Sequence, residues 1–373
     1  LFRSQQPWGI YADRCVLAPV HGKEQHDSNQ SVPLTKAVCS TLGAGLSTTP
    51  YSQMDHLQQS RLNLLTSHAL DRAALVRLDE ENLGQRIMSE NARFIGVHHL
   101  QIAIDEENSS ARPALLTRSE AQQRFGHCEP WVYLGREDSK DYFAVLLDNA
   151  RPPQTHGFAG LRALAATTDG AKATLLAYAR AMAAWHQRHL YCNRCGAQTV
   201  SQHGGHVRAC THASCGEQHY PRTDPAIIVL VEKGERALFG RKPEWSAHRY
   251  STLAGFVEPG ESAEQALVRE VMEETGVEVL SAHYHSSQPW PFPGSLMLGY
   301  SAQAGSEKIS LNDQELEHAC WLDRDEITSR MQQGLFVLPP PISISFRLIE
   351  DWFDQHSTIP LRKLREDTGA THF

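Results

Sequence analysis

No apolar run in this 373-residue chain approaches the length that a bilayer crossing requires, so a membrane-spanning helix is not expected. A surplus of basic charge is missing too: Lys and Arg total 35 against 43 Asp and Glu, a formal net charge of −8. That balance speaks against a broad nucleic-acid-binding face and leaves room only for a local basic groove. Cysteine is scarce, at eight residues, and unevenly spread. Cys15, Cys39, Cys128 and Cys320 stand alone, whereas Cys192, Cys195, Cys210 and Cys215 cluster. Such spacing points to a metal site in a reducing compartment and away from a disulfide framework. The C-terminal Thr371-His372-Phe373 is no peroxisomal tripeptide. What is present, 41% hydrophobic and 21% charged residues, is ordinary for a globular chain of two or three domains.

Residues 1–53 are rich in Ser and Thr and poor in apolar periodicity, and Met54 precedes a better-patterned stretch. A transit peptide, a disordered tail and upstream sequence ahead of an internal start are the readings that stand for this extension. Sparse Arg, with Asp13, Glu24 and Asp27, weighs against the first. The expected compartment is therefore the cytoplasm, or a plastid or mitochondrion if the extension is a transit peptide.

Residues 54–188 read as an α/β accessory domain. VYLGREDSKDYFAVLLD (132–148) has the pattern of two strands about a polar turn at Glu137–Lys140. Asp169 is placed to N-cap a long alanine-rich helix, along which Leu175, Leu176, Ala179, Met182 and Ala183 recur at helical spacing. Packing is a sufficient role for that helix.

Residues 189–219 contain Cys192-x2-Cys195 and Cys210-x4-Cys215, two knuckles able to set four thiolates around one Zn²⁺. Gly196 and Gly216 follow the second cysteine of each pair, where a tight turn would aim backbone N–H groups at sulfur. Four thiols predict a closed structural site, since a catalytic zinc keeps an open position. His212, inside the wider knuckle, is an alternative ligand, and His203 and His206 read as surface residues.

From Tyr220 to residue 356 the pattern is that of an α/β/α sandwich on a mixed sheet. AIIVLVE (226–232) is a buried strand and ALFGRK (237–242) its hairpin partner. Further strands are expected near Val277–His283, Leu296–Gln303 and Ala319–Leu322. Leu338-Pro339-Pro340-Pro341 then breaks the chain before a last helix over Ser343–Asp354, and 357–373 reads as a C-terminal tail.

The richest segment is GFVEPGESAEQALVREVMEETGV, Gly255 to Val277. Glu270, Glu273 and Glu274 fall at i, i+3 and i+4, one face of a helix. Three like charges there repel, and a hard divalent cation that prefers carboxylate oxygen reverses the cost. With Gly255, Glu261, Arg269 and Gly276 the segment resembles the Nudix box, G-x5-E-x7-R-E-U-x-E-E-x-G-U with U aliphatic, at every position. The following string Ser287-Gln288-Pro289-Trp290-Pro291-Phe292-Pro293-Gly294-Ser295 resembles the signature of the NADH pyrophosphatase branch of Nudix hydrolases. That branch also carries a four-cysteine zinc ribbon and an N-terminal accessory domain, in the order found here.

The resemblance covers roughly residues 55–355 and implies hydrolysis of the NAD(H) pyrophosphate to nicotinamide mononucleotide and AMP. In some members it extends to removal of NAD caps from RNA 5′ ends. It implies that Glu270, Glu273, Glu274 and Glu315 hold two or three Mg²⁺ or Mn²⁺ ions, with Glu274 in the catalytic role. Glu317 is a competitor for the place of Glu315. It also implies that Phe256 stacks on a substrate base together with Tyr220 of a partner subunit, hence a homodimer. Gln288, Trp290 and Phe292 would shape the dinucleotide pocket, while Arg269 and Glu261 brace the loop–helix–loop. Two rivals remain: a Nudix hydrolase for ADP-ribose or other nucleoside diphosphates, and an inert zinc-ribbon RNA-binding module. The intact carboxylate set argues against the second.

Overall fold

The computed structural model describes residues 54–369 apart from 68, 108–109, 127, 148–156 and 312–313. The expectation for residues 1–53 lies outside the described residues. Asp55 caps α1 (His56–Leu62) and Asp79 caps α2 (Glu80–Met88). The first sheet follows, built from β1 (Ala92–His98), β2 (Gln101–Glu107), β3 (Ser110–Pro113), β4 (Trp131–Glu137), β5 (Lys140–Leu146) and β6 (Phe158–Ala159). Its order is β3-β2-β1-β5-β4, with β6 beside β2 and β1 parallel to β5. Helix α3 (Arg118–Phe125) precedes β4, and α4 (Leu161–Thr167) and α5 (Gly170–Arg188) follow β6.

Strand alternation divides this sheet between two layers. Ile95, Val97, Ala144 and Leu146 pack against Leu175, Leu176, Ala179 and Met182 of α5. Phe94, Phe143 and Val145 face the other way, onto Leu83 and Ile87 of α2 and Ala121 and Phe125 of α3. Each buried Val, Leu, Ile, Met or Phe among them contributes about 1.5–3 kcal/mol.

A small antiparallel sheet comes next: β7 (Thr199–Gln202), β8 (Val207–Cys210) and β9 (Gln218–His219). His206, expected at the surface, turns inward instead and bonds the Tyr133 carbonyl at 2.8 Å. With His186 of α5 on the Gly205 carbonyl at 2.7 Å, it fastens this sheet to the first.

The second large sheet holds β10 (Asp224–Lys233), β11 (Arg236–Arg241), β12 (Leu253–Phe256), β13 (Val279–Trp290), β14 (Ser295–Ala304) and β15 (His318–Leu322). Its order is β13-β14-β10-β11-β15, with β12 beside β10 and β10 parallel to β14. Helix α6 (Ala263–Thr275) covers Ile227, Val229, Val231 and Leu238. On the opposite face, α7 (Arg324–Gln332) and α8 (Ile344–Asp354) cover Ile228, Leu230, Ala237 and Phe239. The run AIIVLV is apolar throughout because both of its faces are buried.

Two segments depart from the sequence expectations. The stretch read as a tail carries α9 (Leu361–Asp367), whose Leu361 and Leu364 join the core with Phe346 and Trp352. Two apolar residues three apart were enough to dock one short helix. The proline signature is less irregular than expected: β13 continues through Trp290 in register with Ser295, and only 291–294 turn. Pro289 is tolerated because β13 is a sheet edge, where a missing N–H breaks no ladder bond.

Candidate active site

Helix α6 is framed by its own sequence. Ser262 and Gln265 form a reciprocal capping box, and Gly276 closes the helix in the left-handed region at φ 67°. Arg269 is the hub inside this frame. It donates to Glu261 at 2.6 and 3.2 Å, to the Phe256 carbonyl at 2.9 Å, to Glu270 Oε1 at 2.9 Å and to Glu273 Oε2 at 3.0 Å. Glu261 in turn accepts from the Glu258 N–H at 2.8 Å, tying the loop before the helix to its first turns. These bonds, led by the one to Glu261, raise the Arg269 pKa, and the same bond lowers that of Glu261. Glu270 shifts the other way: burial raises it, against the pull of Arg269.

Gly255 on β12 makes room for the cluster. A Cβ at that position would overlap the Glu270 carboxylate, so the strand and the helix meet this closely only over glycine. Glu274 is 1% exposed. Glu315 sits close enough for its charge to raise Glu270, and it accepts from Lys242 Nζ at 3.1 Å. Glu317 is drawn instead to Arg241, at 3.3 Å. Lys242, just beyond β11, had no signal in the sequence, since 73 residues separate it from Glu315. Burial would lower its pKa, but the Glu315 bond and the charges of Glu315 and Glu274 outweigh that and raise it. Glu270, Glu273, Glu274 and Glu315 offer hard carboxylate oxygen, although among the described residues only the four cysteines bring three or more ligand atoms within 4.8 Å of one another, and Arg269 occupies one oxygen each of Glu270 and Glu273. A hard divalent cation fits such donors.

The aromatic and amide residues divide into two groups. Phe256 and Tyr220 are 59% and 55% exposed, and the Tyr220 hydroxyl donates to Gln218 at 2.6 Å. Gln288, expected at the substrate, is buried and fully engaged elsewhere. Its amide donates to the Leu64 and Ile342 carbonyls, both at 2.8 Å, and accepts from the Ile344 N–H at 2.8 Å. That makes it a pin between three distant segments, because a buried amide must satisfy its polar atoms. Asn63 adds a second pin, donating to Ser286 Oγ and the Ser287 carbonyl at 2.9 and 3.0 Å. Phe292 lies between two guanidinium groups, Arg162 at 4.1 Å and Arg180 at 4.6 Å from its ring centre. Trp290 and Phe292 thus pack on the layer of α4 and α5.

The four clustered cysteines converge. Their Sγ atoms all lie within 4.8 Å of one another, with Cys192–Cys215 at 3.8 Å and Cys195–Cys210 at 3.4 Å. Sulfurs about 2.3 Å from a tetrahedral zinc would stand about 3.8 Å apart, so the thiols fit a metal of that size. Gly196 and Gly216 adopt φ of 76° and 59° at the two knuckles. His212 bonds Ser214 Oγ at 3.0 Å and is outside the cluster. Among the described residues, no helix is long and apolar enough to cross a membrane.

A mixed sheet between helices, with a glycine-bracketed loop–helix–loop that gathers carboxylates around one arginine, defines a Nudix domain. Comparison with known proteins agrees. The family model for the NUDIX domain matches residues 221–338, and that for the NADH pyrophosphatase-like rudimentary NUDIX domain matches residues 91–185. The chain is 39% identical over 217 residues to the NAD-capped RNA hydrolase NudC of Stutzerimonas stutzeri (strain A1501), covering 58% of this chain and 75% of that one. It is 39% identical over 193 residues to the human (Homo sapiens) NAD-capped RNA hydrolase NUDT12, covering 48% and 42%. It is 38% identical over 216 residues to the Nudix hydrolase 19, chloroplastic, of Arabidopsis thaliana, covering 52% and 49%. The match thus spans under half the length of the latter two. The chain belongs to the Nudix hydrolase family, in its NADH pyrophosphatase branch. The first sheet, expected as an accessory α/β domain, is accordingly a rudimentary Nudix domain.

Proposed function

We propose that the protein hydrolyses the pyrophosphate of NAD(H) to nicotinamide mononucleotide and AMP, and removes NAD caps from RNA 5′ ends. The observation that carries this is the set of carboxylates about α6, in a chain with the proline–tryptophan signature: Glu270 and Glu273 bonded to Arg269, Glu270 admitted by Gly255 and neighboured by Glu315, and Glu274 buried on the same helix. Relatives named NAD-capped RNA hydrolases support the substrate class. The four glutamates would hold Mg²⁺ or Mn²⁺, which when bound neutralises the pyrophosphate and acidifies the attacking water. Glu274, buried behind its neighbours, takes the water proton as the new P–O bond forms and the bridging P–O bond breaks. Arg269 keeps Glu261, Glu270 and Glu273 in place and does not touch phosphate.

Phe256 and Tyr220 offer exposed rings for a base, and contribution of Tyr220 by a second copy makes the working unit a homodimer. Cys192, Cys195, Cys210 and Cys215 would hold one structural Zn²⁺. Retained thiols fit a reducing compartment, with the cytoplasm as our reading.

Side-by-side kinetics on NADH, NAD⁺, ADP-ribose and NAD-capped RNA test the substrate reading. Metal-dependent release of AMP from NADH is expected, and preference for ADP-ribose would transfer the function to the rival substrate. Glu274→Gln should lower kcat by roughly 10²–10⁴ while dinucleotide binding persists. Turnover within about threefold of wild type would move the base elsewhere.

A further inference from the structure

A cavity of about 1040 Å³ opens beside the second sheet, with Arg162 of α4, Arg249, Arg362 and Arg365 on its walls together with Trp245 and Trp290. Four arginines and two tryptophans are an unusual lining for a protein of net charge −8. Arg362 is held by Glu350, at 2.5 Å. Among the described residues, no carboxylate pairs with Arg162 or Arg249. They rest on aromatic faces instead: Arg162 over Phe292 and, at 5.8 Å, over Trp290, and Arg249 at 5.5 Å over Trp245. Burial lowers the Arg162 pKa, and repulsion from Arg249 adds to it, so an anion between the two would relieve both.

The cavity also lies on the same sheet face as Phe256. Ile228 and Met297 line it. Met297 faces Ala226 across β14 and β10, and Ala226 faces Phe256 across β10 and β12. Directly paired residues point to the same side of a sheet, so Phe256 and the cavity floor share one row, two strand spacings or about 10 Å apart.

We propose that Arg162 and Arg249 bind the phosphodiester that follows the cap, making this cavity the seat of the first nucleotides of a single-stranded RNA substrate. Guanidinium groups supply the phosphate contacts, and Trp245 and Trp290 supply stacking faces, the pairing used by single-strand binding grooves. The free dinucleotide lacks that phosphodiester and does not use the wall. This assignment rests on the capped-RNA reading above.

The test uses the full chain and a twelve-nucleotide single-stranded RNA, NAD-capped for turnover and 5′-monophosphorylated for binding by fluorescence anisotropy. Arg162→Gln/Arg249→Gln should lose at least tenfold in kcat/KM on capped RNA beyond any loss on NADH. Its log–log salt slope for RNA binding should shrink by about 0.7, the value for one phosphate contact on a single strand. Arg249→Gln alone, which leaves the Phe292 stack intact, should show about half that slope change and carries the test if the double variant misfolds. Equal losses on NADH and capped RNA, or an unchanged salt slope, would overturn the proposal. So would an equal loss of binding to a duplex of the same length, which would make the wall a general polyanion surface. If wild type turns over neither substrate, the functional reading fails, while the binding slopes still decide the arginine wall.

Discussion

At Gly255 the absence of one methyl group decides where the Glu270 carboxylate can sit. A Cβ there would overlap it, and the strand and helix that carry the two residues cannot separate without breaking the Arg269 clamp on the Phe256 carbonyl. Gly255→Ala should therefore displace the carboxylate by an ångström or so, a misplacement that can cost about 10²-fold in rate. Steady-state kcat with a Mn²⁺ titration checks this, and the far-ultraviolet dichroism should stay at the wild-type value. A variant with wild-type kcat and metal requirement would show that Glu270 need not occupy this position. Gly255 stood out in the sequence only as one member of a pattern. The physical demand on it, close approach of a side chain 15 residues on, was not legible there.

Among the elements, the link between α5 and the cysteine-bearing sheet is sensitive to acid. His186 and His206 have pKa values of about 4, lowered from 6.5 chiefly by burial, which outweighs the upward pull of the backbone carbonyl that each ring bonds. The unfolded chain takes up these protons first as pH falls. Stability is thus complete above about pH 6.5 and is lost progressively between there and about pH 4. The loss is of the order of 3 kcal/mol for His186 and smaller for the partly exposed His206. Thermal melts from pH 7 to 4 should show the decline. Replacing His186 with Gln, which keeps a donor for the Gly205 carbonyl, should flatten it, and an equally steep decline in that variant would refute the assignment. On the same sheet, Cys192→Ser should release bound metal and loosen the knuckles, since metal binding is coupled to folding at such sites. Elemental analysis of protein purified without chelator, showing no metal in wild type, would defeat that expectation.

The elements also show where the sequence was readable. Strands β10, β11 and β14 and the helices α5, α6 and α8 follow from apolar periodicity and caps, which are local signals. The four cysteines and the carboxylates of α6 were legible for the same reason, as fixed short spacings. Lys242 beside Glu315, the pinning of Gln288 between Leu64 and Ile342, and the docking of α9 depend on residues brought together only by topology. The first sheet's kinship to the second was hidden because it carries no carboxylate box.

For the whole molecule the open question is assembly, and it turns on two rings. Tyr220 stands at the exit of the cysteine-bearing sheet just before Pro221, and Phe256 ends β12; both are more than half exposed. An exposed aromatic pair has little to gain in water and much to gain around a flat base, where stacking is worth roughly 1–3 kcal/mol per base. If a second copy supplies Tyr220 to complete the platform on Phe256, Tyr220→Ala should raise KM for NADH by about 5- to 150-fold, the same energy expressed as affinity. It should leave metal binding unchanged, because Tyr220 touches none of the carboxylates. Sedimentation of the wild type should report a dimer at concentrations where the enzyme turns over. Mixing Tyr220→Ala with Glu274→Gln chains should then restore activity, since one of the two mixed sites would carry both an intact tyrosine and an intact base. A fully active monomer, or mixed chains no more active than either variant alone, would rule out a site shared between subunits.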